Sequence, residues 1–367
     1  MEKFYLIQKK KNFFKVFYLL FFLLIINYYY NYWCRKTEKQ IEGNVEKIKY
    51  LNYKHLISYD NYINDCRLLI KYNNRTIIKN EYPYFSICLC TYNLDKYIER
   101  SILSILNQSY QNFEIIIVND CSIDNTSNIL LRLQSNENRI KIVNHNKNLG
   151  IYHSRVDAIL NSNGKYILFL DPDDMFFNQY LLEILFIYNL DYNLDIIEYS
   201  IYYLIENKNK IFYPKLDNFN HYHNFSKKII FQPELSNILF YKPNTKRYSS
   251  IICRTIWNKI YRKENFLKSI KYIGEDYYQQ FYINAAEDTL LNLINFHFAF
   301  NYSNINISGY IYNLRDSSIS HRKRNRDENI YRSISFYYYF KLLYKFIKEF
   351  NKDINYLYYE LKDFVLI

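Results

Sequence analysis

Glycine and proline are scarce in this chain, five of each in 367 residues. That scarcity excludes collagen-like and proline-rich linker architectures, and it leaves few positions where the backbone can adopt positive φ without strain. Cysteine is sparse as well: six residues stand at scattered spacings, with neither a paired zinc pattern nor a dense disulfide framework. Cys88 and Cys90 lie two apart on one face of an apolar run, where they bury as small apolar side chains. The net charge is +12, yet the basic residues are spread thinly and no nucleic-acid motif accompanies them. The charge therefore points to an anionic ligand or an anionic membrane surface, and not to nucleic acid. The block His321-Arg322-Lys323-Arg324-Asn325-Arg326 reads as a solvated loop.

Tyrosine and phenylalanine, by contrast, number 44 and 27. They run with Ile, Asn and Lys through every part of the chain, as an AT-rich genome produces, so the aromatic excess carries no functional weight. Hydrophobic residues at 49% and charged residues at 23% place the chain among globular proteins with a sizeable core.

The chain divides into five parts. A basic tail, 1–12, precedes an apolar segment, 13–33, whose stretch 16–33 is uncharged and ends in Tyr28, Tyr29, Tyr30, Tyr32 and Trp33. Its length and its aromatic flank fit a membrane anchor, and bulky residues stand where a signal peptide would be cleaved. A single-pass membrane protein is expected, in the endoplasmic reticulum or Golgi if the source is eukaryotic. Lysine and arginine on both flanks leave the facing side open. A polar stalk, 34–81, leads to the main domain, 82–320, and a helical C-terminal tail, 321–367, periodic enough for two amphipathic helices.

Within 82–320 the pattern alternates. Apolar runs at 85–90, 113–118, 140–143 and 166–170 read as strands, and amphipathic stretches at 97–106, 129–133 and 153–160 as the helices between them. Continuous apolar strands between amphipathic helices predict an α/β fold, a mostly parallel sheet covered on both faces. A helix at 180–189, strands in 195–213 turning at 206–209, a strand or turn at 257–266, a helix at 287–298 and a strand pair at 302–314 follow; 214–250 shows no regular pattern.

Ligands in such sheets bind beyond the carboxyl ends of the strands. Those ends read Thr91-Tyr92-Asn93, Asn119-Asp120-Cys121-Ser122-Ile123-Asp124-Asn125-Thr126 and Asp171-Pro172-Asp173-Asp174. An acidic crevice accepts a phosphorylated ligand only with a divalent cation between, Mn²⁺ or Mg²⁺. Asn93 and Asp124 are equally suited to capping helices. His145 and His153 read as ordinary loop and helix residues, because no second His or Cys stands at metal spacing.

These segments resemble the family 2 glycosyltransferases, which have the GT-A fold. The resemblance is carried by 86–93, Ile98-Glu99-Arg100-Ser101-Ile102, Ser104-Ile105-Leu106-Asn107-Gln108, Val118 through Thr126, Asn148-Leu149-Gly150, and Gly164-Lys165-Tyr166-Ile167 leading to Asp171-Pro172-Asp173-Asp174, in order over 85–178. It implies an inverting transfer of a sugar from a nucleotide-sugar donor, with a UDP-linked donor expected. Cys90, Tyr92 and Asn93 would line the donor pocket, and Asp120 would accept a hydrogen bond from the base. Arg155 and Asp171 would lie near the donor, with Asp173 the direct metal ligand and Asp171 beside it. Two positions depart from the family: Asn119 stands where many members have Asp, and Cys121 where Gly is common.

An inverting transfer also needs a base for the acceptor hydroxyl, and the family supplies it from an acidic pair opening a helix. Glu275-Asp276 and Glu287-Asp288 both qualify. Asp288 is preferred to Asp276 because it opens the apolar helix that precedes Tyr310-Ile311-Tyr312 and Arg315-Asp316-Ser317-Ser318-Ile319, a segment similar to the one that follows the base in the family. The acceptor would be a glycan, a lipid-linked molecule or a protein. The rival readings are a catalytically silent nucleotide-sugar-binding membrane protein, against which the intact acids speak, and a nucleotidyltransferase. The latter wants a glycine-rich phosphate loop after the first strand, and Thr91-Tyr92-Asn93-Leu94-Asp95 has no glycine.

Overall fold

The computed structural model describes residues 82–205, 210–212, 229–232, 235, 255–274, 286–315 and 326–350. The expected anchor, 13–33, and stalk, 34–81, lie outside the described residues, as does Asp276. Among the described residues no helix is long and apolar enough to cross a membrane.

In chain order the elements are β1 (Phe85–Thr91), α1 (Ile98–Leu106), β2 (Phe113–Asn119), α2 (Thr126–Asn136), β3 (Ile140–Asn144), α3 (Ile151–Leu160), β4 (Tyr166–Phe169), β5 (Met175–Phe176), α4 (Leu181–Tyr192), β6 (Ile196–Ile205), β7 (Lys210–Phe212), β8 (Ile229–Phe231), β9 (Lys259–Arg262), α5 (Lys263–Ile273), α6 (Glu287–Phe298), β10 (Asn301–Leu314) and α7 (Arg326–Glu349). The strands form one sheet ordered β3-β2-β1-β4-β9-β6-β10-β5, with β7 on β6 and β8 on β10. Parallel pairing runs through β3-β2-β1-β4 and between β6 and β10. β9 is antiparallel to both β4 and β6 and joins the two parallel blocks.

The strands obey the expected physics. Every residue of β2 is buried, as is every residue of β1 but the half-buried Cys90, because helices cover both faces. In α1 the buried residues Ile98, Ser101, Ile102 and Ile105 recur at helical spacing and seat one stripe on the sheet. Gly164, just before β4, is required by close approach: a Cβ there would lie 2.5 Å from Ser86 Oγ and 2.6 Å from the Ser86 nitrogen. The Ser86 hydroxyl instead donates to Glu114 Oε1 at 2.6 Å and accepts from the Gly164 N–H at 2.8 Å.

Three elements differ from expectation. The segment 257–266 is a strand followed at once by α5, a helix whose Phe266, Ile270 and Ile273 recur at helical spacing on the core-facing stripe beside buried Asn265 and Ser269. The pair expected at 302–314 is one long strand, β10, with register shifts between Ile305 and Ser308 and between Ser308 and Tyr310. In the C-terminal tail the structure describes one helix, α7, which packs on the body: Phe346 lies 5.8 Å from the Tyr272 ring and 5.1 Å from His297, and Phe350 lies 4.0 Å from His297.

Candidate functional site

The carboxyl ends of β1, β2, β3 and β4 meet the start of α6 and the end of β10, and the acidic side chains gather there. Asp120 follows β2 and is buried. Its N–H donates to the Thr91 carbonyl at 2.9 Å, tying the ends of β1 and β2 together. Its carboxylate receives the Leu149 N–H on Oδ1 and the Gly150 N–H on Oδ2, both at 2.8 Å, and so sits at the N-terminus of α3, where the helix dipole favours negative charge. Gly150 adopts φ 90° and ψ 167° there, a conformation open almost only to glycine.

The loops after β1 and β2 brace each other. Asn93, at φ 55°, accepts the Ile123 N–H on Oδ1 at 2.9 Å, and its own N–H donates to Ser122 Oγ at 3.0 Å. Asp124 accepts the Thr126 N–H at 3.0 Å and the Asp95 N–H at 3.1 Å. Cys121 has φ 63°, which explains why glycine suits this turn. Asn119 uses the two donors that an aspartate would lack, giving hydrogen bonds to Ser127 Oγ at 3.0 Å and Asn144 Oδ1 at 3.1 Å. Tyr92, at the rim, is exposed.

After β4 comes the acidic turn. Asp174 is buried, accepting the Tyr310 hydroxyl at 2.6 Å and the Asn313 N–H at 2.7 Å. Burial, and then the charges of Asp173 and Asp171, push its carboxyl well above the usual range, while the Asn313 N–H and the Tyr310 hydroxyl pull it back. Asp173 is clasped by Arg315, with its Oδ2 2.8 Å from Nε and 2.6 Å from Nη2. Arg315 in turn lies over the Tyr97 ring at 4.5 Å. Asp171 is pushed up to about 6 by burial, against the pull of Arg155 and with repulsion from Asp173 and Glu287.

Arg155 connects these groups. It projects from α3, is 4% exposed, and places its guanidinium 3.0 Å from Glu287 Oε1 and 3.5 Å from Asp171 Oδ1. It also pairs with Asp288 Oδ1. Glu287 and Asp288 open α6 behind Ala286, whose φ of 61° is unfavourable for a residue with a Cβ. Asp171, Arg155 and Asp288 are thus brought into one cluster from three separate elements. Cys90, at the end of β1, lies within the same field: burial raises its thiol, Arg155 opposes the rise, and Asp171, Asp120 and Asp157 add to it.

Among the described residues, four carboxylates, Asp171, Asp173, Glu287 and Asp288, pair with two guanidiniums, Arg155 and Arg315, so acids outnumber their ion-pair partners. Among the described residues no three acidic, His or Cys side chains converge closely enough to enclose a metal ion. Mg²⁺ and Mn²⁺ are commonly bound by one or two carboxylates together with substrate phosphates, and Asp171 and Asp173, in the turn after β4, are the candidates for such a role.

Sequence reasoning missed two residues of the site. His145 is not an ordinary loop residue: it lies buried between Asp120 and Asp157. Arg315 was noted only as part of a trailing segment, although it clasps Asp173. Both follow a strand directly or within one residue, β3 for His145 and β10 for Arg315, and the strand-end rule applied to those strands would have found them.

Comparison with known proteins agrees with this layout. The description "Glycosyl transferase family 2" matches residues 86–268, a span from β1 into α5 that contains Asp120, Arg155, Asp171 and Asp173. An uncharacterized glycosyltransferase of Haemophilus influenzae is 41% identical over 93 residues, 25% of this chain and 29% of that protein. An uncharacterized glycosyltransferase of Methanocaldococcus jannaschii is 30% identical over 204 residues, 53% of this chain and 66% of that one. The chain therefore spans less than a third of the first relative and just under two thirds of the second. The crystal structure of S. aureus TarS residues 1–349 in complex with UDP-GlcNAc superposes with a TM-score of 0.53 over 77% of this chain and 70% of that one, at 19% identity, and shares its GT-A-like α/β fold. With the family's matched segment running through the strand ends that build the site, the chain belongs to glycosyl transferase family 2.

Proposed function

We propose that this protein transfers a sugar from a nucleotide-sugar donor, UDP-linked by preference, to an acceptor hydroxyl with inversion at the anomeric carbon. The observation that carries the reading is the Arg155 cluster, in which one buried guanidinium holds the acidic turn after β4 and the acidic pair opening α6 side by side. The UDP-GlcNAc complex of TarS, a protein of the same fold, supports a UDP-linked donor.

In this reading Asp120, Tyr92 and Asn93 form the base end of the donor site. Among the described residues Asp120 Oδ2 takes one donor, the Gly150 N–H, and keeps acceptor capacity for the edge of the base. Asp173 and Asp171 would hold a divalent cation, which when bound neutralises charge on the departing diphosphate. Arg315, already at Asp173, supplies a second positive group at that end. Asp288 takes the proton from the acceptor hydroxyl as its oxygen attacks the anomeric carbon and the bond to the diphosphate breaks on the opposite face. Arg155 orients that carboxylate through their ion pair. The apolar segment 13–33 would hold the domain at a membrane, close to a membrane-bound acceptor.

The test uses the purified full chain with a panel of UDP- and GDP-sugars, with and without Mn²⁺. Metal-dependent release of nucleoside diphosphate is expected. Saturable nucleotide binding without any turnover would instead make the protein a silent binder.

A further inference from the structure

His145 closes a buried relay that the transfer chemistry above does not use. Its Nδ1 lies 2.7 Å from Asp120 Oδ1 and its Nε2 lies 2.9 Å from Asp157 Oδ2, and its side chain is 6% exposed. Ionised carboxylates only accept hydrogen bonds. Each ring nitrogen thus has a carboxylate within hydrogen-bond distance, and the imidazole bridges two inward-facing acids.

The placement matters because of what the two acids hold. Asp120 receives the N–H groups of Leu149 and Gly150, the turn from which α3 begins. Asp157 stands in α3 itself, two residues beyond Arg155. His145 therefore ties the start of α3 to its own middle turn by way of the end of β2. The same helix delivers Arg155 to Asp171, Glu287 and Asp288. Among the described residues, Cys90 on β1 is a further titratable group near this trio, its thiol feeling Arg155, Asp171, Asp120 and Asp157.

We infer that His145 is a positioning residue of the donor site: by bridging Asp120 and Asp157 it fixes the Leu149-Gly150 turn and aims the free acceptor position of Asp120 at the nucleotide base. The inference rests on the donor-site reading given above. It assigns Asp157, which touches no substrate in that reading, a role through His145. Because it acts on binding of the base and not on the reacting atoms, losing it weakens donor and transition state alike, which raises KM and leaves kcat in place.

The experiment compares the wild-type full chain with His145→Ala, His145→Gln, Asp157→Ala and Asp157→Asn. Three readouts are taken: amide hydrogen exchange of the peptide spanning 146–152 without ligand, UDP affinity with Mn²⁺, and KM and kcat for the preferred UDP-sugar. Loss of a charge-assisted hydrogen bond predicts faster exchange and about tenfold weaker UDP binding in His145→Ala and Asp157→Ala, with kcat within about twofold of wild type. Asp157→Asn can donate its amide to Nε2 while Nδ1 still donates to Asp120, so it should restore UDP affinity to within about twofold. His145→Gln, which keeps one donor in a similar volume, should fall between and guards against an alanine variant that does not fold. Unchanged exchange in every folded variant overturns the inference, as does faster exchange with unchanged UDP affinity, or a fall in kcat at constant KM. A wild-type protein that binds neither UDP nor GDP sinks the donor-site reading instead, and the exchange data distinguish that failure because they need no ligand.

Discussion

Replacing Arg155 with methionine removes the cation shared by three carboxylates while keeping most of the apolar stem. The guanidinium lies 3.0 Å from Glu287 Oε1 and 3.5 Å from Asp171 Oδ1, pairs with Asp288, and is 4% exposed. Stripping one partner from a buried ion pair costs about 3–5 kcal/mol. The Asp171 and Asp288 side chains are 30% and 22% exposed, so water absorbs part of the loss, and about 3 kcal/mol is expected. The deficit also has a definite pH dependence. Burial has already pushed Asp171 up to about 6, and without Arg155 the clustered acids relieve their repulsion by binding protons in the folded state. A folded state that binds more protons than the unfolded one loses stability as pH rises, so the deficit at about pH 8 should exceed that at about pH 5. Urea denaturation followed by circular dichroism measures it, with the slope against urea unchanged. A deficit under about 1 kcal/mol at both pH values, or a larger one at the lower pH, would refute the reasoning. Arg155→Lys, which keeps the charge and loses the planar fork, should lie between.

Gly164→Ala forces a Cβ to within 2.5 Å of Ser86 Oγ and 2.7 Å of the Phe85 carbonyl carbon; a loss of about 3 kcal/mol is expected, and an unchanged thermal midpoint would contradict the packing described. Glu114 is pushed up by burial but pulled below the usual glutamate range overall by Lys141, Ser86 and Asn163. Its contribution is therefore present above the unfolded pKa and lost as pH falls through the lower folded value. Glu114→Gln should cost about 2 kcal/mol near neutrality, with the gap closing in acid; a gap that is constant with pH would count against the charge. Asp288→Asn should lower kcat by about a hundredfold or more with UDP affinity intact, and if Asp276→Asn does so instead, the base has been misassigned.

Much of the parallel half of the fold was legible because its strands are buried on both faces and read as unbroken apolar runs. β5 and β8 were not, since strands of two and three residues leave no period to detect. α5 begins directly where β9 ends, so strand and helix share the segment 257–266 with no turn to separate them, and the length of β10 was hidden by its shifts of register. At the site, Asp120, Asp171 and Asp173 were legible from their positions after strands. The long-range pairings were not: Arg155, itself expected near the donor, meets Glu287 across 132 residues, and Arg315 meets Asp173 across 142. No local pattern records a contact of that range. His145 was set aside for want of a neighbour at metal spacing, a test blind to a histidine whose partners are carboxylates on two other elements.

The most direct measurement is calorimetric titration of UDP into the full chain in the presence of Mn²⁺, repeated with a chelator and with Asp173→Ala. Saturable binding that disappears in both controls is the predicted result. Equal UDP affinity in all three would show that the acidic turn after β4 does not hold the donor through a cation, and would contradict the account.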